Sequence, residues 1–253
     1  LKGHLPFPGH LLVSFFSPFK EETWPGYPAG VPRQDLLGFD TVRMIYPWQS
    51  FNTQELKFGR LPLWNPHGFA GAPHLANWQS AVFFPLNWLY LILPQPIAWP
   101  ILVILQPILA TIFMYLLLRQ LKFKRPSSTI SALAYGFSGW LTVWLQWNSL
   151  GFAYALIPLA LLLLDKLQPL VLLPLVLITL SGHPQVSLLI LGFCFIYGLS
   201  RRLPLRWLMV IFGLNLLITA AQWLPTAEYY REASREFPSS EFNLKNTTLP
   251  WKQ

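Results

Sequence analysis

Residues Ile97 to Leu118 form 22 consecutive positions without a charge, and this stretch limits the fold more than any other feature. At ~1.5 Å per helical residue it covers a hydrocarbon layer of ~30 Å. Five more apolar runs follow, at about Ser127–Trp147, Ser149–Leu164, Leu167–Ser181, Val186–Ser200 and Trp207–Leu224. The first and last of these five read as full spans. The three between are only 15 or 16 residues, and two of these carry Pro158, Pro169 and Pro174. Short segments of this kind tilt, kink or re-enter in a bilayer. The pattern predicts an all-α protein, a multi-pass transmembrane helical bundle of about six spans over residues 96–224.

Composition agrees. Charged residues make up 11% of the 253-residue chain and hydrophobic residues 53%, against about 25% charged in soluble domains. The single cysteine, Cys194, excludes a disulfide scaffold and sits in an apolar run, where core packing is its expected role. Net charge is +8, but the charges are sorted. Arg119, Lys122, Lys124 and Arg125, then Lys166, then Arg201, Arg202 and Arg206 fall in alternate turns between the runs. The intervening turns, Asn148–Gly151 and Gly182–Gln185, hold no Lys or Arg. The positive-inside rule puts the basic turns in the cytoplasm, which removes the main argument for a nucleic-acid partner.

By the same parity, residues 1–95 and 225–253 lie outside, with all five histidines and every acidic residue except Asp165. Without an initiator Met or a complete first span, the chain reads as part of a longer multi-pass protein. The long outer loop is where function is expected. Asp40 is a candidate helix N-cap, and Val42, Ile45, Trp48 and Phe51 form a rough apolar stripe that Pro47 bends or restarts. An interfacial helix fits that mixture.

Gly59–Pro66 and Gly71–Ser80 then alternate Trp, Asn, Gln and Gly. Indole faces stack on the C–H face of a sugar, and carboxamides both donate and accept hydrogen bonds. Trp64, Asn65, Asn77 and Gln79 are therefore candidates for a polyhydroxylated ligand. Interfacial anchoring and loop scaffolding explain the same residues. Asp35 and Asp40 are candidate general bases or ligands of a divalent cation, against a role as a cap or as a partner of Arg33 or Arg43. His183 in the turn Gly182-His-Pro-Gln185 and Glu228 in Leu224-Pro-Thr-Ala-Glu228 lie on the same outer side. Arg231 and Arg235 suit a phosphate. A structural His183 and a Glu228–Arg231 salt bridge are the plainer readings. Zinc spacing, a phosphate-binding Gly loop and a nucleophile elbow do not occur.

In order, the motifs Asp40…Tyr46-Pro-Trp48, Gly59…Leu61-Pro-Leu-Trp-Asn-Pro66, Gly71-x-Pro73, Ala76-Asn-x-Gln79, Pro85-Leu86, Gly182-His-Pro-Gln185 and Leu224-Pro-Thr-x-Glu228 resemble bacterial YfhO-type membrane proteins. The resemblance covers nearly the whole chain. It implies a GT-C-type glycosyltransferase of the cell membrane, moving a sugar from a polyprenyl-phosphate carrier to a cell-envelope polymer or protein outside the cell. It also implies a catalytic carboxylate in the first outer loop, by position Asp40, with Asp35 second. Tyr46, Trp48, Trp64, Asn65, Asn77, Gln79, His183, Gln185, Glu228, Arg231 and Arg235 are then the substrate-binding candidates. No cofactor is required, although a divalent cation could assist leaving. A lipid-carrier flippase or transporter is the competing class and predicts ionisable residues within the spans. A non-catalytic envelope scaffold is the third.

Overall fold

The computed structural model describes residues 13–14, 16–30, 40–68 and 70–232. Helix dominates: α1 (Tyr46–Lys57), α2 (Leu89–Ile92), α3 (Gln95–Gln120), α4 (Arg125–Gly136), α5 (Gly139–Trp144), α6 (Leu150–Asp165), α7 (Leu172–Leu180), α8 (Pro184–Ser200), α9 (Leu205–Ile218) and α10 (Ala220–Glu232). Among the described residues the strand content is one two-residue hairpin, β1 (Trp64–Asn65) against β2 (Ala72–Pro73).

Each apolar run becomes helix, but only α3 is by itself long and apolar enough to cross a membrane. The run expected as the second span is divided into α4, α5 and a 3-10 turn at Leu145–Trp147. Ser138 makes the division by accepting a hydrogen bond from Leu141 N–H, so that helix restarts there. The run expected as the last full span is also broken. Between α9 and α10 the axis bends by 69°. The cause is side-chain anchoring: Gln222 Nε2 donates to Leu75 O at 2.9 Å and Thr226 Oγ1 to Ala76 O at 3.1 Å, which ties α10 to the loop rather than to the line of α9.

α3 packs along α4 and α6, while α6 also packs against α7 and α8. Leu156, Leu164, Leu175, Ile178, Ile190, Cys194 and Leu208 fill the core between α6, α7, α8 and α9. Cys194 is buried there as the sequence suggests. Gln120 Nε2 donates to Leu162 O at 3.2 Å, and Arg201 Nε to Asp165 Oδ1 at 2.9 Å, so the C-terminal ends of α3, α6 and α8 meet at one end of the bundle. The basic turns gather at that end.

The outward faces are apolar. Ile97, Ile101, Ile104, Ile108, Ile112 and Leu116 recur every three or four residues along α3 and are exposed, and α8 and α9 present Leu189, Phe193, Ile196, Met209, Val210 and Leu217 in the same way. The interior, besides its apolar core, holds hydrogen-bonded polar groups. Gln106 of α3 donates to Asn148 Oδ1 at 2.9 Å, and Asn148 donates to Tyr90 OH at 3.0 Å. Exposed apolar faces of this extent mark contact surfaces.

The loop region folds onto the other end. Thr41–Ile45 form a π-helical turn that runs directly into α1, with Pro47 near its start. Asp40 departs from the expected N-cap: its backbone is already helical and its side chain accepts no capping hydrogen bond. Val42, Ile45 and Phe51 of the expected interfacial stripe are buried within the protein, Ile45 against Phe84, Trp99 and Phe152. The stripe is a core face because the loop from Leu75 to Tyr90 folds over it. Arg60 grips Glu55 through two hydrogen bonds of 2.9 and 2.7 Å and closes the end of α1.

Candidate functional site

A cavity of about 600 Å³ opens where the π-helical turn, α1, the β1–β2 hairpin, the loop after it and α10 come together. Its size falls within the usual range for small-ligand sites. Arg43, Met44 and Trp48 form one wall, Asn65, His67 and Ala72 a second, His74 and Asn77 the floor, and Tyr229 the α10 side. Next to it, Pro73 and Tyr229 also border a cleft of about 320 Å³ that includes Glu228 and Glu232.

Local chemistry fixes these walls. His67 N–H donates to Asn65 Oδ1 at 2.9 Å, an Asx turn that shapes the hairpin loop. Gly71 has φ of +98° and leaves no room for a side chain, since a Cβ would lie 2.6 Å from Trp64 Cε2. Below the floor, Gln49 and Asn52 donate to Ser80 O at 3.0 and 2.7 Å, and Asn52 Oδ1 meets His74 Nε2 at 2.7 Å. The His74 ring stands edge-on to Phe51, with centroids 4.9 Å apart. Burial holds its pKa down at about 4, so the imidazole is neutral at physiological pH.

α10 is pinned behind this floor. Trp78 stacks edge-on to Trp223 at 4.3 Å and donates to Thr179 O at 2.9 Å. Thr179 in turn exchanges hydrogen bonds with Asn215 of α9. The Leu224-Pro-Thr-Ala-Glu228 motif thus fastens the loop to the bundle through Thr226 and sets Glu228 beside the smaller cleft.

Of the expected site residues, Trp48, Asn65 and Asn77 line the main cavity together. Tyr46 turns toward Trp99, with ring centroids 5.4 Å apart. Trp64 lies outside the cavity lining, packed across Gly71 and 54% exposed. Gln79 borders neither cavity, and its backbone carbonyl lies close to the turn at Gly182, whose φ is +102°. His183 caps α8: its Nδ1 accepts from Val186 N–H at 3.4 Å, and burial lowers its pKa. That is its plainer, structural reading, and it borders neither cavity. Gln185 is exposed on the first turn of α8. Asp40 is half-buried and makes no side-chain hydrogen bond among the described residues. It immediately precedes the π-helical turn that carries Arg43 and borders neither cavity. The salt bridge considered between Glu228 and Arg231 does not form, and Arg231 borders neither cavity. Asp35 and Arg235 lie outside the described residues.

Comparison with family models, with curated proteins and with solved structures finds no match for the chain.

Sequence reasoning missed Arg43, His67, His74 and Tyr229 as cavity residues. One signal was available for His74. Gln49 and Asn52 sit three apart, on the helix face next to Val42, Ile45 and Phe51, and a buried polar pair there needs partners. Arg43 makes no ion pair among the described residues and faces the cavity as a free cation. No group of three His, Cys, Asp or Glu side chains could hold a metal among the described residues. Asp165, the acid nearest the bundle interior, is engaged by Arg201 Nε at 2.9 Å and by Tyr197 OH at 3.0 Å.

Proposed function

We propose that the protein is a multi-pass membrane glycosyltransferase whose cavity takes the sugar of a polyprenyl-phosphate carrier on the outer face. The observation that carries this reading is the meeting of Trp48, Asn65 and Asn77 in one cavity. An indole face and two carboxamides suit a pyranose ring, and Arg43 at the rim suits the phosphate that links sugar to lipid. Support for the membrane comes from the exposed apolar stripes of α3, α8 and α9. Tilted and broken segments complete the crossing where single helices are short. The basic turns, clustered at the end away from the cavity, support an outward-facing site by the positive-inside rule.

Asp40 is the expected base. It precedes Arg43 by three residues, just outside the residues that line the cavity, and in this reading it takes the proton of an acceptor hydroxyl as that oxygen attacks the anomeric carbon and the carrier phosphate leaves with its electron pair. Phosphate is already a good leaving group, so one carboxylate is enough. The acceptor is a hydroxyl of a cell-envelope polymer or protein.

The test is transfer of radiolabelled hexose from a polyprenyl-phosphate donor by the protein in lipid nanodiscs. Trp48→Ala and Asn77→Ala are expected to raise the KM for donor by roughly five-fold each, a hydrogen bond or stacking contact being worth about 1 kcal/mol. Carrier translocation without transfer would favour the transporter class instead.

A further inference from the structure

His74 is 2% exposed, yet one of its nitrogens is not accounted for. Asn52 Nδ2 donates to Ser80 O at 2.7 Å, so the carboxamide is oriented with Oδ1 toward His74. An oxygen there only accepts, which requires the proton to sit on Nε2. The ring is neutral at physiological pH because burial lowers its pKa to about 4. Nδ1 therefore carries a lone pair. Among the described residues it has no partner, and it is not among the enclosed unpartnered atoms of the interior. The open space that His74 borders is the main cavity.

We propose that His74 Nδ1 is a fixed hydrogen-bond acceptor in the cavity floor and receives a hydroxyl of the bound ligand, selecting a hydroxyl donor at that point. The assignment rests on the reading of the cavity as a sugar site. Asn77, whose carboxamide is not engaged by the protein among the described residues, lies beside it to complete a pair of contacts to neighbouring hydroxyls. A lone-pair acceptor discriminates in one direction. A hydroxyl satisfies it, whereas a hydrogen, a methyl or an ether oxygen leaves it unpartnered, a penalty larger than the gain from the bond itself. The other titratable or charged groups facing the cavity are Arg43 on the π-helical turn, His67 in the hairpin loop and Tyr229 on α10. Burial is what opposes protonation of the ring, in keeping with a permanent acceptor.

The experiment is nitrogen-15 NMR of histidine-labelled protein in nanodiscs, with a short-chain prenyl-phosphate hexose as probe. At pH 7 the expected spectrum gives His74 protonated at Nε2 and bare at Nδ1, and saturating probe shifts the Nδ1 signal alone. His74→Phe is expected to weaken probe binding roughly ten-fold. The matching deoxy-hexose probes then lose affinity for the wild type at one position only, and the His74→Phe protein no longer distinguishes them. Because the spectrum is read on the wild type, a variant that fails to fold does not remove the test. A proton on Nδ1 would overturn the proposal. So would probe binding that leaves Nδ1 unmoved, with the sugar reading of the cavity left standing. Absence of binding by any hexose probe would overturn both.

Discussion

His74 Nε2 lies 2.7 Å from Asn52 Oδ1, and through Asn52 the ring is tied to the carbonyl of Ser80. This short chain joins α1 to the loop of Gly71–Ser80 and forms the floor of the cavity. It makes the cavity floor a fixed feature, because Gln49, Asn52 and His74 are each held in place by at least one hydrogen bond.

The chain makes stability depend on pH. His74 titrates near 4 in the folded protein and near ~6.5 when unfolded. Between those values the unfolded state binds more protons, so stability is complete above about pH 6.5 and falls as pH drops toward about 4, by up to about 3 kcal/mol. Below that both states are protonated and the loss stops. His183, also lowered by burial, acts in the same direction. Unfolding midpoints between pH 4 and 7 are expected to slope less in His74→Gln than in the wild type, and less again with His183→Gln added.

Gly71 is expected to resist replacement. Its φ of +98° is rare for L side chains, and a Cβ would meet the Trp64 indole. Gly71→Ala should cost roughly 1–3 kcal/mol. Adding Trp64→Ala should recover the steric part but not the backbone part, so a double-mutant cycle of unfolding energies separates the two.

Removing the tethers of α10 should loosen the cavity without loosening the bundle. Gln222→Leu and Thr226→Val each delete a hydrogen bond to the loop, to Leu75 O and Ala76 O, worth about 1 kcal/mol. Hydrogen exchange should speed up at the amides of 74–81 and stay unchanged in α6, whose contacts lie elsewhere.

Asp165 separates the transferase from the transporter. It is held by Arg201 and Tyr197 at the basic end. Asp165→Asn should lower thermal stability, since it leaves a cation without its partner, while sugar transfer stays within about two-fold of wild type. A transport path needs its ionisable groups, so translocation lost in this variant would favour the transporter.

The apolar runs were legible because hydrocarbon-length stretches and basic turns leave a strong trace in composition. Every run is helical, and α3 spans nearly the limits read from the sequence. Breaks inside runs were not legible. Ser138 and Thr219 look like ordinary residues of an apolar segment, and the bend at Thr219 depends on Gln222 and Thr226 finding carbonyls some 150 residues away in the chain. The cavity was half legible. Trp48, Asn65 and Asn77 stand out by residue type, whereas His74 depends on Asn52 and Arg43 on the absence of an ion pair, and both are tertiary facts. Val42 and Ile45 misled because a stripe that faces a bilayer and one that faces a core have the same periodicity.

The most direct measurement is the rate of labelled hexose transfer from a polyprenyl-phosphate donor by wild type and Asp40→Asn in nanodiscs. A base removed from proton abstraction should cost about 10²–10⁴ in kcat with the KM for donor little changed, because Trp48, Asn65 and Asn77 still hold the sugar. Transfer by Asp40→Asn at the wild-type rate would contradict the proposed base. Absence of transfer by the wild type with every polyprenyl-phosphate hexose would contradict the transferase itself.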